Sequence, residues 1–373
     1  MLCDSRETGG CLSASLLKLP LQIPMKIALI APPYIAVQTR KYGGTELFIA
    51  ELAMGLQRKG VDVILYTNGE STLPVPSKCL YQKEEWPLSG DAEANLKGLN
   101  HAAWAVQDAR NRVDVIHLNN APGLTLQRFT DHPVVYTVHH GYEQPLSDFY
   151  AYFPEVSFVT ISDFQRTKLN LPRIRTIHHG IDLSSYTLQT KKKPYLAFLG
   201  RVAPAKGTHL AIDIAKKAEI PLKMAGEIQP VYREYWEKVV RPQVDGKFIE
   251  YVGELGLEGK NELLGNSMAM LFPIQWDEPF GLVMVESMAC GTPVLALPGG
   301  SVAEVIEEGV SGHIGHSVDE LVQRARNLNF HAESVRAYVQ KYFSSERMAN
   351  DYISLYSEIL DSRTADQAEP IVA

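Results

Sequence analysis

Two glutamates eight residues apart, Glu278 and Glu286, frame the stretch of this sequence richest in chemistry: Asp277-Glu278-Pro279-Phe280-Gly281-Leu282-Val283-Met284-Val285-Glu286. Pro279 and Gly281 interrupt regular structure, so Glu278 is expected in a loop and Glu286 inside the early turns of the helix that follows. The first N–H groups of such a helix have no intrahelical partner. Those near Phe280, Gly281 and Leu282 can bind an anionic ligand. Glu278 would then accept hydrogen bonds from hydroxyls beside that anion, and Glu286 from a neighbouring ribose. The plainer alternative is one carboxylate serving the helix dipole and one exposed to water.

Three smaller constellations could share that ligand. In Gly200-Arg201-Val202-Ala203-Pro204-Ala205-Lys206-Gly207 a rigid guanidinium fork and a flexible ammonium lie five residues apart across a turn. They can converge on one diphosphate, or they are simply two solvated cations. Gly43-Gly44-Thr45-Glu46 opens a helix, and paired glycines there let backbone N–H groups approach an oxyanion. His139-His140-Gly141 closes an apolar run. Successive strand residues point to opposite faces, so the two histidines are not expected to hold one metal together. Neither G-x-G-x-x-G nor G-x-x-x-x-G-K-[ST] occurs, which argues against nicotinamide-dependent and Walker-type chemistry.

These groups must be held by a scaffold, and the periodicity describes one. From Met25 short Val/Ile/Leu runs alternate with amphipathic stretches. Strands are expected at 26–31, 61–66, 113–118, 134–138, 156–161 and 174–178, with helices at 45–58 and 92–110. On the first helix Leu47, Ala50, Glu51, Met54 and Leu56 fall on one stripe, Gly60 is a plausible stop, and Ser162 reads as an N-cap. Residues 184–194 have a linker composition. The pattern then restarts, with strands at 195–199, 221–225, 247–252, 269–272 and 293–296 and helices at 208–217, 232–240, 260–266, 283–289, 318–327, 335–342 and 346–360. Continuous apolar runs mark strands buried on both faces, and alternating βα units mark a parallel, doubly wound sheet, here twice. Two such domains place a ligand at the carboxyl ends of their strands.

Length and charge bound the function further. The chain has 373 residues, enough for two domains, and its net charge of −7 argues against a nucleic-acid partner. Residues 1–190 carry a net charge of −1 and residues 191–373 one of −6. An anion held by the second half therefore needs local donors rather than a general field. Four cysteines, Cys3, Cys11, Cys79 and Cys290, have no metal or disulfide-framework spacing, and a reducing, cytoplasmic location is expected. No apolar run is long enough to span a membrane; peripheral membrane contact and oligomeric state stay open. Residues 1–24 read as an extension outside the fold and 362–373 as a loose tail.

The motifs together resemble retaining glycosyltransferases of family 4, which have the GT-B fold. Glu278 to Val294 looks like the family's E-x₇-E signature, Gly200-Arg201 with Lys206-Gly207 its phosphate element, and Gly43-Gly44 its N-terminal glycine loop. Pro298-Gly299-Gly300-Ser301-Val302-Ala303-Glu304 is similar to its G-G-x-x-E stretch. His178-His179-Gly180-Ile181-Asp182 is similar to P-N-G-[VI]-D, with His179 where asparagine is common. The resemblance implies an α/β protein of GT-B architecture, two doubly wound Rossmann-like domains facing across a cleft: 25–190 on the acceptor side, 191–345 on the nucleotide-sugar side, and a helix over 346–361 crossing back. It implies His139, Arg201, Lys206 and Glu278 as catalytic residues and Gly43, Gly44, Phe280, Gly281, Leu282 and Glu286 as donor-binding ones. Arg201 and Lys206 would bind the diphosphate and stabilise the departing charge, and His139 would lie beside the donor sugar. The substrate would be a nucleotide-diphosphate sugar, UDP-glucose first, with no cofactor and no metal required, and the acceptor unidentified. Tyr34 and Tyr142 are candidates for the acceptor pocket. A sugar-nucleotide epimerase on the same fold, or a non-catalytic sugar-nucleotide-binding protein, is the alternative.

Overall fold

The computed structural model describes residues 25–38, 43–86 and 91–368; the expected extension over 1–24 and residues 369–373 of the expected tail lie outside them. The first half runs β1 (Lys26–Ile30), α1 (Gly44–Arg58), β2 (Asp62–Thr67), β3 (Ser77–Cys79), α2 (Asp91–Ala109), β4 (Val115–Leu118), β5 (Val134–Val138), α3 (Gln144–Tyr150), β6 (Ser157–Thr160), α4 (Asp163–Thr167) and β7 (Ile174–Thr176). The second runs β8 (Leu196–Leu199), α5 (Thr208–Ala218), β9 (Leu222–Ala225), α6 (Arg233–Tyr235), β10 (Ile249–Tyr251), α7 (Leu257–Asn266), β11 (Ala269–Phe272), α8 (Leu282–Ala289), β12 (Val294–Ala296), α9 (Val302–Val305), β13 (Gly312–Ile314), α10 (Val318–Arg326) and α11 (Ala332–Tyr342). A last helix, α12 (Ser345–Ala368), ends the described chain.

All strand pairs are parallel. The seven strands of the first sheet are ordered β3-β2-β1-β4-β5-β6-β7 and the six of the second β10-β9-β8-β11-β12-β13. In each sheet the order reverses beside its first strand, between β1 and β4 and between β8 and β11. The crevice above such a switch point is where doubly wound sheets bind ligands. The central strands are buried on both faces, β4, β5, β8 and β11 along their whole length, which is why they lack polar alternation.

Local signals in the sequence act as expected. Gly60 follows α1 with φ +80° and its N–H reaches Gln57 O at 3.0 Å. Ser162 caps α4, its hydroxyl accepting the Gln165 N–H at 3.1 Å. The regular helix expected over 232–240 is instead a chain of 3₁₀, α and π turns between Pro230 and Gln243, with Pro230 and Pro242 fixing its ends. The helix expected to stop near 361 continues to Ala368, because residues 361–368 hold no glycine or proline, and Arg363 donates to the Asp131 carbonyl. α12 packs on the first half: Met348, Tyr352, Leu355 and Tyr356 join the cluster that holds Phe48 and Leu52 of α1.

The stripe of α1 carries one carboxyl into that core. Glu51 is 1% exposed and its Oε2 has no partner among the described residues. Burial pushes it from 4.5 up to about 7. Between those values the folded state holds a proton that the unfolded state has released, so stability falls as pH rises through that window. Glu51→Gln removes the ionisable group. It is expected to stabilise the protein by about 2–3 kcal/mol at pH 8 and to be near neutral at pH 4.5, read from denaturant melts at both pH values.

Candidate active site

A cleft of about 440 Å³ opens between the halves at the two switch points, and the ten residues expected to bind or act all line it. Gly43 and Gly44 come from the loop after β1, His139 from the end of β5, Arg201 and Lys206 from the loop after β8, and Glu278, Phe280, Gly281, Leu282 and Glu286 from the loop and helix after β11.

The two loops of the second half are locked together. Gly207 has φ +70°, and a Cβ there would lie 1.8 Å from the Pro273 carbonyl oxygen, so only glycine fits. Gln275 N–H donates to Ala205 O at 2.8 Å across the same seam. This contact places the Lys206 ammonium 2.5 Å from Glu278 Oε2 and 4.7 Å from the centre of the Trp276 ring. Trp276 Nε1 donates to the same Oε2 at 2.9 Å, so Oε1 takes neither bond. Deeper in the cleft Glu286 is 2% exposed, and its Oε1 accepts from the Lys260 ammonium and the Tyr186 hydroxyl, each at 2.9 Å. Arg201 differs from both lysines: it donates to a neutral amide, Gln229 Oε1 at 3.3 Å, and makes no ion pair among the described residues.

Two helix starts complete the cationic lining. α1 is preceded by Gly43 and α8 by Gly281, each at positive φ and neither glycine capping, and the Glu46 carboxyl of the first turn of α1 folds back against Gly43. They face each other across the cleft, with Leu282 within 3.9 Å of the Cβ position of Gly44. Their N–H groups and dipole ends, one from each half, can meet one anion. These are the local donors that the −6 charge of the second half demands.

His139 and His140 do point apart. His140 is tied to the Tyr150 hydroxyl at 2.5 Å and the Gly141 carbonyl at 2.7 Å. His139 Nε2 lies 2.8 Å from Asn119 Oδ1, and the Asn119 amide donates to Ile30 O at 3.2 Å. With the amide so oriented, Nε2 carries the proton and Nδ1 keeps its lone pair, unpartnered. Burial and the neighbouring His179 ring hold its pKa well below the usual value, so His139 stays neutral and offers an acceptor. Tyr34 and Tyr142 do not line the cleft; the Tyr34 hydroxyl donates to Ala94 O at 2.5 Å within the first half.

Among the described residues the group able to hold a metal ion is Asp163, His178 and Glu304, whose ligand atoms lie within 4.8 Å of one another. It stands in a second opening between the halves, apart from the cleft. Glu304 there accepts the N–H groups of Asp163 and Phe164 at 2.7 and 2.6 Å, which fastens α4 to α9.

This geometry has known counterparts. Residues 184–341 match the family described as Glycosyl transferases group 1, and residues 42–185 match Glycosyltransferase Family 4. The chain belongs to the group 1 glycosyltransferases. It is similar to a D-inositol 3-phosphate glycosyltransferase of Pseudarthrobacter chlorophenolicus, 24% identical over 72% of this chain and 77% of the relative. It is also similar to the O-antigen chain mannosyltransferase C of Escherichia coli, 21% identical over 87% and 96%. Among solved structures it resembles sucrose-phosphate synthase of Thermosynechococcus elongatus, with a TM-score of 0.73, 19% identity, and coverage of 91% and 100%. Anabaena HepE in complex with UDP and glucose follows at 0.70 and 18%, covering 90% and 100%. These likenesses show the GT-B fold.

Several residues of the glycosyltransferase's cleft had no assigned role in the sequence. Lys260 on the cleft wall, and Tyr186 and Asn119 that support it, each act through a partner distant in the chain, as with Lys260 on α7 and Glu286 on α8. Trp276 alone carried a usable signal, being two residues before Glu278.

Proposed function

We propose that this glycosyltransferase moves a hexose from a nucleotide-diphosphate sugar, UDP-glucose first, to an unidentified acceptor with retention at the anomeric carbon and without a metal. The observation that carries the reading is the convergence of Arg201, Lys206 and two glycine-led helix starts on the space beside Glu278. Charge that develops on a leaving diphosphate is stabilised there by fixed donors, the term that usually dominates such catalysis. Glu278 Oε1 and the backbone of residues 280–282 would hold sugar hydroxyls, and Glu286 the ribose. Glu278 and Glu286 are each engaged by a lysine, which favours a front-face route over a covalent glycosyl-enzyme. In that route the C1–O bond to the diphosphate breaks, the acceptor oxygen bonds C1 from the same face, and a diphosphate oxygen takes the acceptor proton. The neighbour solved with UDP and glucose supports the donor, while the mannosyltransferase relative keeps a mannose donor in the comparison. The described residues include no helix long and apolar enough to cross a membrane, and Cys79 and Cys290 are free thiols, which favours a cytoplasmic enzyme.

The test is nucleotide release from UDP-, GDP- and ADP-sugars with an acceptor pool, with and without EDTA, beside thermal-shift titrations of each nucleotide. Release from UDP-glucose that EDTA leaves unchanged is the expected result. Inhibition by EDTA overturns the metal-free mechanism. Stabilisation by a nucleotide with no release from any donor leaves a binding protein, and an epimerised donor with no transfer leaves an epimerase.

A further inference from the structure

We propose that Glu304 is a positioning residue for the transfer reaction: from outside the cleft it clamps the two halves together and so fixes the spacing between Glu278 and His139. The proposal rests on the glycosyl-transfer reading, which gives Glu304 no role.

The clamp is one carboxylate of α9, in the second half, holding the start of α4, in the first. Glu304 Oε2 accepts the Asp163 N–H at 2.7 Å and Oε1 the Phe164 N–H at 2.6 Å. His178 Nε2, on the segment that leaves β7, lies 2.9 Å from the same Oε2. Burial disfavours a charge on Glu304, but the His178 bond and the two N–H groups outweigh it and hold the carboxyl below its usual value. An ionised carboxylate with each oxygen facing a backbone donor makes short and strong bonds, and two of them at once fix its direction as well as its distance.

Each end of the clamp leads to a residue of the site. In the second half, the N–H groups of Glu304 and Val305 both donate to Ser301 O, at 2.8 and 3.1 Å. Ser301 donates in turn from its N–H to Glu278 O at 2.9 Å and from its hydroxyl to Phe280 O at 3.0 Å. Ser301, Val302 and Val305 are fully buried, so this close-packed segment cannot shift without moving Glu278. In the first half, Gln165 of α4 donates its side-chain amide to Val138 O at 3.1 Å and to His140 O at 2.7 Å. Those two carbonyls flank His139 at the end of β5. A continuous set of bonds therefore runs from the Glu278 backbone through Ser301, Glu304 and α4 to the backbone on either side of His139. In the transfer reading the donor sugar lies between these two walls, where a displacement of about 1 Å is enough to slow the reaction.

The experiment breaks the clamp from each side in the full-length enzyme. Glu304→Gln keeps the shape but offers one oxygen and one NH2 to two N–H donors. Asp163→Pro removes one of those donors. Asp163 is the first residue of α4, a position that takes proline, and Ser162 before it is extended at φ −152° and ψ 157°. Asp163→Ala is the reference for the lost side chain. The kcat, the KM and the Kd of the free nucleotide are measured well below the melting temperatures, together with amide exchange of the peptide that carries Ser301. Glu304→Gln is expected to lower kcat about ten-fold, Asp163→Pro to fall about ten-fold below Asp163→Ala, and the double variant to lose no more than the worse single one. The nucleotide Kd should hold, because Arg201, Lys206, Lys260 and Glu286 all belong to the second half. The Ser301 amide should exchange faster in Glu304→Gln than in the wild type, and faster in Asp163→Pro than in Asp163→Ala although the change lies in the other half. An unchanged kcat in Glu304→Gln overturns the proposal, as do additive losses in the double variant or a loss matched by an equal rise in the nucleotide Kd. If Asp163→Pro does not fold, kcat and Ser301 exchange in Glu304→Gln decide the matter. Absence of turnover in the wild type would sink the transfer reading alone. Ser301 exchange would still test the clamp, and equal exchange in all of these proteins overturns it.

Discussion

Lys206→Ala lowers kcat/KM for the nucleotide-sugar donor by about 2–4 kcal/mol, a loss of some thirty- to a thousand-fold. Two effects add in that number. The first is the charge removed from the leaving diphosphate. The second acts on Glu278, which is 7% exposed and held 2.5 Å from the lysine ammonium. Removing one partner of such a pair leaves a buried carboxylate without its counter-charge, which is strongly destabilising. The substitution therefore lowers the melting temperature as well as the rate. The two effects separate in a double-mutant cycle with Glu278→Gln. Lys206→Ala/Glu278→Gln is expected to regain most of the lost stability, because the orphaned charge is gone, and none of the lost activity. Steady-state kinetics and thermal melts on the four proteins check this. Unchanged activity in Lys206→Ala would make the lysine a structural partner of Glu278 and remove it from the diphosphate. Arg201→Ala has no such stability component, because Arg201 faces a neutral amide. Its loss is expected to fall on activity with little change in melting.

How far the sequence foretold this site follows from the range of the interactions. Residues that act through the backbone beside them could be read from spacing. Gly43-Gly44 and Gly281 stand at helix starts, and Glu278 and Glu286 flank one of them. The paired parallel sheets were equally plain, because strands buried on both faces write continuous apolar runs. Edge strands β3 and β13, Ser77-Lys78-Cys79 and Gly312-His313-Ile314, carry no continuous apolar run for periodicity to read. What spacing cannot carry is a partner from another element. The Lys206–Glu278 pair spans 72 positions and the Asn119–His139 bond 20. The tautomer of His139 depends on the second of these. Tyr34, chosen by residue type alone, turned elsewhere for the same reason, its hydroxyl partner Ala94 O lying 60 positions away, whereas Tyr142 is exposed and bonds the nearby Gln144.

The Gly299-Gly300 pair could be recognised as a motif, yet its mechanical role appears only in three dimensions, and it sets the second large effect. Gly300 has φ +58°, and a Cβ there would sit 2.1 Å from the carbonyl oxygen and 2.4 Å from the nitrogen of Glu278. The next residue grips the same segment: Ser301 N–H donates to Glu278 O at 2.9 Å and Ser301 Oγ to Phe280 O at 3.0 Å. Gly300→Ala must therefore displace the Glu278 backbone, since no flexible side-chain end lies there to yield. A catalytic group misplaced by about 1 Å can cost on the order of 100-fold in rate, and that loss in kcat/KM is expected here. Stability should fall by about 3 kcal/mol or more, from left-handed strain plus the backbone overlap. Gly309→Ala separates the two contributions, because Gly309 has φ +76° with nothing within 4 Å of its Cβ position. It carries the strain alone, about 1–2 kcal/mol, and should keep its kcat/KM. Kinetics below both melting temperatures decide the matter. If Gly300→Ala kept full activity at that temperature, Glu278 would not need the position this segment gives it, and its place in the catalytic set would be lost.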